Sequence, residues 1–210
     1  VILFAEKSEF NRHILFWWLI APLLTLLILP AFMQPESFAI ASAEVRYLTH
    51  WGSRVHPVTE RADALFNSLF VDSGWVRGSL DLAQPRTRDL PAATGLFRWL
   101  HGWIAGFWML LYRVIWRVYA LLPIYLAAIL GYALPAFVDG LTTRLKKRYD
   151  FGQHNPIFFY SSMHFVLLAV GLALFVPITP LTLTPWILGG YFFLTAAAVW
   201  IMASNLQTGG

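Results

Sequence analysis

Four long runs without a charged residue constrain this chain more than anything else in its 210 residues. Residues 14–33 form the first, twenty positions long. At about 1.5 Å per helical residue it reaches roughly 30 Å, the thickness of a bilayer's hydrocarbon core. Residues 118–138, bounded by Arg117 and Asp139, form the second run, and 157–176 and 186–203 form the third and fourth. Pro177, Pro180 and Pro185 fall in the short uncharged link between the last two, which reads as a helical hairpin. Pro22 and Pro30 lie within the first run, where a membrane helix tolerates proline and a kink near Pro22 is expected. Only 12% of residues are charged, against about a quarter in soluble domains, so a soluble fold would lack polar surface. The expected fold class is all-α: a polytopic membrane protein with about four transmembrane helices and an extracytoplasmic amphipathic helical segment.

Lys7 and Arg12 before the first run, with Ala41-Ser42-Ala43 after it, also suit a secretory signal. The run is too long for most signals, so an uncleaved span is expected. The loop at 139–156 holds Arg144, Lys146, Lys147 and Arg148 against Asp139 and Asp150, the basic excess of a cytoplasmic loop. Alternation then places the termini, 1–13 and 204–210, in the cytoplasm. The 34–95 segment and the 177–185 link fall on the opposite face. From residue 34 to residue 96 there are six Arg and seven Asp or Glu, a balance compatible with translocation. The aromatic and Arg-rich residues 96–117 read as an interfacial helix that could continue into the second span, with Arg98, Arg113 and Arg117 snorkelling to headgroups.

Ala41, Val45, Leu48, Trp51, Val55, Val58, Ala62, Leu65 and Leu69 recur every three or four positions, an amphipathic helical stripe. Glu44, Arg46, Arg54, Glu60, Arg61 and Asp63 fall mostly off it, and Pro57 starts a second helix or bends the first. The stripe either packs on its own chain or meets a protein partner or the lipid interface. Residues 72–91 show no sustained period and read as an exposed loop.

No catalytic, cofactor-binding or metal-binding residues are expected. The chain has no cysteine, no phosphate-binding glycine loop and no His-Glu-x-x-His, and no two of its six histidines share one helical turn's spacing. His164 is the intramembrane polar residue, with Tyr160 and Ser161 one turn earlier as local hydrogen-bond partners. Ser161 and His164 alone do not make a protease dyad. Asp139-Gly140 with Arg144 partly matches the opening of the CDP-alcohol phosphotransferase motif, but Thr143 replaces its Ala. No Asp or Glu follows Asp150, so the second carboxylate pair of that family's metal site cannot be built. Asp139, Arg144, Lys146, Lys147 and Arg148 read instead as a helix end near anionic headgroups or a dock for a cytosolic partner.

Pro123-Ile124-Tyr125, then Ala133-Leu134-Pro135-Ala136-Phe137-Val138-Asp139-Gly140-Leu141 with Arg144, then Asn155-Pro156, His164, Pro177 and Pro180, form a recognisable set. In these the chain resembles a family of inner-membrane proteins from conjugative plasmids and integrating conjugative elements, whose genes tend to accompany the coupling ATPase of the type IV secretion apparatus. The likeness is best from about residue 99 to residue 186. It implies a non-enzymatic subunit of conjugative DNA transfer that binds or stabilises the coupling ATPase or other secretion subunits, in a hetero-oligomer or homo-oligomer seated in membrane lipid. It assigns no catalytic residues, and direct contact with DNA is not expected. The alternatives are a small transporter or channel, prompted by His164 and the proline-broken first span, and an entry-exclusion or lipid-organising protein.

Overall fold

A computed structural model describes residues 10–50, 55–84, 91–149 and 156–206 of the chain; among them all regular structure is helical and no strand occurs. In chain order the helices are α1 (Asn11–Ala31), α2 (Ser42–His50), α3 (Val55–Phe66), α4 (Trp75–Leu82), α5 (Pro91–Ala128), α6 (Leu134–Tyr149), α7 (Pro156–Phe175) and α8 (Pro185–Ser204). Among the described residues four stretches are long and apolar enough to cross a membrane: Asn11–Ala31, Thr94–Lys147, Ile157–Phe175 and Pro185–Ser204.

The second of these is 54 residues long. A π-helical segment, Ile129–Ala133, joins α5 to α6 without a break, so residues 96–117, the run at 118–138 and the start of the basic segment share one helical path. At about 1.5 Å per residue it measures about 80 Å, some 50 Å more than the hydrocarbon core requires. Both π segments within candidate spans stand just before a proline, Leu15–Ile20 before Pro22 and Ile129–Ala133 before Pro135. A proline has no N–H for the carbonyl four residues back, and its ring crowds that carbonyl, so the ladder loosens there. The expected disturbance near Pro22 therefore takes the form of a π segment.

Other boundaries follow equally local rules. Thr184 caps α8, its hydroxyl accepting from the Ile187 N–H at 3.4 Å, with Pro185 at the first helical position. Pro177 stops α7, because the residue before a proline disfavours the helical conformation. Pro57 is the third described residue of α3. The segment at 72–91 departs from the loop expected there. Gly74 turns through φ 79°, a left-handed conformation suited to glycine, and α4 follows it. Residues 85–90 lie outside the described residues.

The chain forms two compact units. The first comprises Ala21–Pro123 and Phe175–Thr182. Phe38, Leu110 and Ile178 make its core, with Leu26, Leu29, Met33 and Val114 packed on them. A Cβ at Gly106 would stand 3.2 Å from Pro30 Cβ and 3.4 Å from the Phe38 ring, so glycine permits the close approach to α5. The second unit contains Ile124–Leu174 and Leu183–Gly210 together with Val1–Ile20. There α6 packs along α8, and the Trp18 indole N–H donates to the Leu167 carbonyl at 3.0 Å. Helices α7 and α8 are apolar around their whole circumference, as expected of helices surrounded by lipid and by other helices.

Candidate functional site

Between His101 and Asp139 the only charged residues are Arg113 and Arg117, one turn apart on α5. Side chains four apart on a helix lie on the same face. Rather than reaching headgroups as expected, both are buried, at 1% and 0% exposure, whereas Arg98 is exposed. Their counter-charge is Glu44, also 0% exposed, from the first turn of α2. This corrects the placement of Glu44 on the polar side of the amphipathic stripe.

Arg117 grips the carboxylate with two prongs, Nε donating to Oε1 at 2.6 Å and Nη2 to Oε2 at 2.7 Å. Short paired bonds of this kind are the strongest that a guanidinium makes. Its remaining N–H groups donate to backbone carbonyls of the link after α7: Val176 at 3.2 Å, Pro177 at 3.3 Å, Thr179, and Leu181 at 2.7 Å. Arg113 donates to the Ser37 carbonyl at 3.1 Å and lies 3.5 Å from Glu44 Oε2 and 3.4 Å from the Pro180 and Leu181 carbonyls. Pro177 and Pro180 bring a carbonyl without an N–H, so the link offers more acceptors than donors and suits a cation. One carboxylate thus faces two guanidiniums, and carbonyl dipoles offset the surplus positive charge. With all three side chains sealed from solvent, the cluster has no face for a substrate. It fastens α2 and the 176–181 link to α5.

A second row on α5 supports the same unit. Trp108 donates to Ser79 Oγ at 2.9 Å, Tyr112 to Asp63 at 2.7 Å and Trp116 to Thr59 Oγ1 at 3.1 Å. Phe66 meets Trp108 and Tyr112 edge-on, at ring separations of 6.2 Å and 5.5 Å. These aromatic residues, expected to sit at the membrane interface, turn their polar tips toward α3 and α4.

The partner candidates of the amphipathic stripe divide by burial. Leu48 is buried, as are its neighbours on the stripe Val58 and Ala62, so these pack within their own unit. Val45 and Leu65 are half-buried, and Leu69 is half exposed. Trp51 lies outside the described residues, as does the side chain of Val55.

At the basic segment, Asp139 accepts a 2.7 Å hydrogen bond from the Trp200 indole N–H. A Cβ at Gly140 would come within 2.7 Å of Ala203 Cβ and 2.8 Å of the Trp200 carbonyl, so glycine lets α6 and α8 touch. The Asp-Gly pair therefore has a packing role in the second unit. Lys147 Nζ donates to the Ser204 carbonyl at 3.3 Å and to Asn205 Oδ1 at 3.4 Å, placing a cation at the negative end of α8. Arg144 is half-buried, Lys146 is exposed, and the side chain of Arg148 lies outside the described residues.

His164 is 8% exposed, and its ring meets that of His13 edge-on at 5.4 Å. Trp17 and Ser161 line the same recess. Ser161 Oγ, expected as a local hydrogen-bond partner of His164, is buried without a hydrogen bond, and Tyr160 is 47% exposed. Among the described residues no group of three or more His, Cys, Asp or Glu could hold a metal ion.

The Glu44 cluster is what a reading of the sequence misses. Its one available signal is the isolated Arg113/Arg117 pair, because charges inside an apolar stretch require a partner from elsewhere. No curated protein and no solved structure matches the chain. Residues 32–207 match a family described as IncC plasmid conjugative DNA transfer protein DtrJ-like, a span that contains the Glu44 cluster, the Asp-Gly contact and His164. The chain belongs to the DtrJ-like family of conjugative DNA transfer proteins.

Proposed function

We propose that this chain is a non-catalytic membrane subunit of a conjugative apparatus of the type IV secretion class, where it binds or stabilises the coupling ATPase. The observation that carries the reading is membership of a conjugative DNA transfer family across most of the chain. Four helices suited to crossing a membrane are compatible with an integral subunit. The buried Glu44 cluster supports a structural role, because its chemistry is consumed in holding backbone segments together. In this reading the protein sits in a bacterial inner membrane with both termini and the Arg144–Arg148 segment in the cytoplasm, following the basic excess there. The exposed Lys146 and the half-buried Arg144 then offer positive charge to a cytosolic partner, and no DNA contact is invoked.

Affinity capture of the tagged chain from donor-cell membranes in mild detergent tests the proposal. The coupling ATPase is expected in the eluate in fixed proportion to the bait. An eluate from which that ATPase and every other secretion component are missing would refute it.

A further inference from the structure

The second unit contains a cleft of about 200 Å³ between the end of α5, α7 and α8. We propose that this cleft holds a phospholipid acyl chain inserted between the helices, distinct from the lipid that coats the outer surface. The inference rests on the membrane seat of the chain.

Three observations identify hydrocarbon as the occupant. Every lining residue lies within the uncharged runs 118–138, 157–176 and 186–203, each about as long as the hydrocarbon core is thick, so on the proposed membrane seat the opening faces bilayer interior. The wall is almost wholly apolar, and three of its four hydroxyls are turned to backbone: Tyr125 donates to the Ala173 carbonyl at 3.3 Å, Tyr191 to Ala169 at 2.9 Å and Thr195 to Tyr191 at 2.8 Å. A water or polar solute there would have few groups to bond, and apolar cavities stay dry and take apolar guests. An engineered cavity of about 150 Å³ accepts benzene, so the volume suits a stretch of acyl chain.

The opening arises from the backbone. Ile129 and Tyr132, 55% and 56% exposed, flank it, and both belong to the π segment that precedes Pro135. The inserted residue of a π turn breaks the regular helical packing surface, and such turns recur at functional sites. At depth the wall includes Ala128 and Phe192, only 8% and 7% exposed, which a lipid lying against the outer surface would not reach.

The test uses the full chain in vesicles of phosphatidylethanolamine and phosphatidylglycerol, doped with a phospholipid carrying a diazirine on one acyl chain. After irradiation, adducts are mapped by mass spectrometry. Leu126 and Leu130, both more than half exposed, report ordinary surface lipid on the same helical path. Adducts at Ala128 and Phe192 at least equal to those at Leu130 are expected, whichever of the two headgroups the probe carries. Filling the cleft with Ala173→Phe, or separately with Ala128→Leu, should lower the Phe192 adducts at least five-fold while Leu130 labelling persists. Labelling of Leu126 and Leu130 alone would overturn the proposal and leave the membrane seat standing. Absence of adducts at all four positions would overturn both.

Discussion

Replacing Glu44 with alanine removes the only carboxylate that the described residues bring to a site holding two guanidinium groups at 0% and 1% exposure. Two short charge-assisted bonds to Arg117 disappear, each worth about 1.5–3 kcal/mol, along with the longer approach of Arg113. Carbonyls of the 176–181 link still solvate Arg117, so the loss falls short of an isolated buried charge. Breaking one partner from a buried ion pair costs about 3–5 kcal/mol, in agreement with the sum over bonds. For a chain of this length that is a fall in melting temperature of about 6–20 °C, read by tryptophan fluorescence of the protein in detergent. The triple variant Glu44→Leu/Arg113→Met/Arg117→Met should recover more than half of the loss, because the greatest cost is buried charge left unpaired. A melting temperature for Glu44→Ala within about 2 °C of wild type would show that the carboxylate is not holding these arginines.

Further outcomes follow from close contacts and from a cap. Gly140→Leu should separate α6 from α8 and cost about 1–3 kcal/mol, since the Trp200 carbonyl that meets the new Cβ is backbone and cannot swing aside; cysteine cross-linking between the two helices checks it. Gly171→Leu should likewise push α7 from Trp17 and Trp18, which a Cβ would approach to 3.2 Å and 3.1 Å, and shift the tryptophan emission. Lys147→Ala should destabilise the end of α8 by about 0.3–1 kcal/mol, seen as faster amide exchange at 201–205 with little change elsewhere.

The presence of four helices long and apolar enough to cross a membrane was legible, because such a helix needs about twenty successive apolar residues and no tertiary contact is needed to see that. The Glu44 cluster was not, because the carboxylate lies 69 and 73 residues from its arginines, and most other acceptors are backbone carbonyls, which have no residue signature. Amphipathic periodicity placed Glu44 outside for the same reason that it placed Leu48 inside, by polarity alone, whereas a paired carboxylate can be as buried as a leucine. Helix α4 escaped notice because eight residues with a glycine at position 78 show too little period, although Ser79 meets Trp108 there. His13 and His164 come together only through the packing of α1 and α7. Several residues that carry the family resemblance have physical duties: Pro135 follows a π segment, Gly140 admits α8, and Pro177 and Pro180 turn carbonyls toward the arginines.

A mating assay tests the central claim most directly, with the gene for this chain deleted from the conjugative element and the wild-type chain returned to donors or to recipients alone. The account predicts that transfer frequency falls on deletion and is restored by expression in donors. Unimpaired transfer from the deleted element, or an effect confined to recipients, would contradict it.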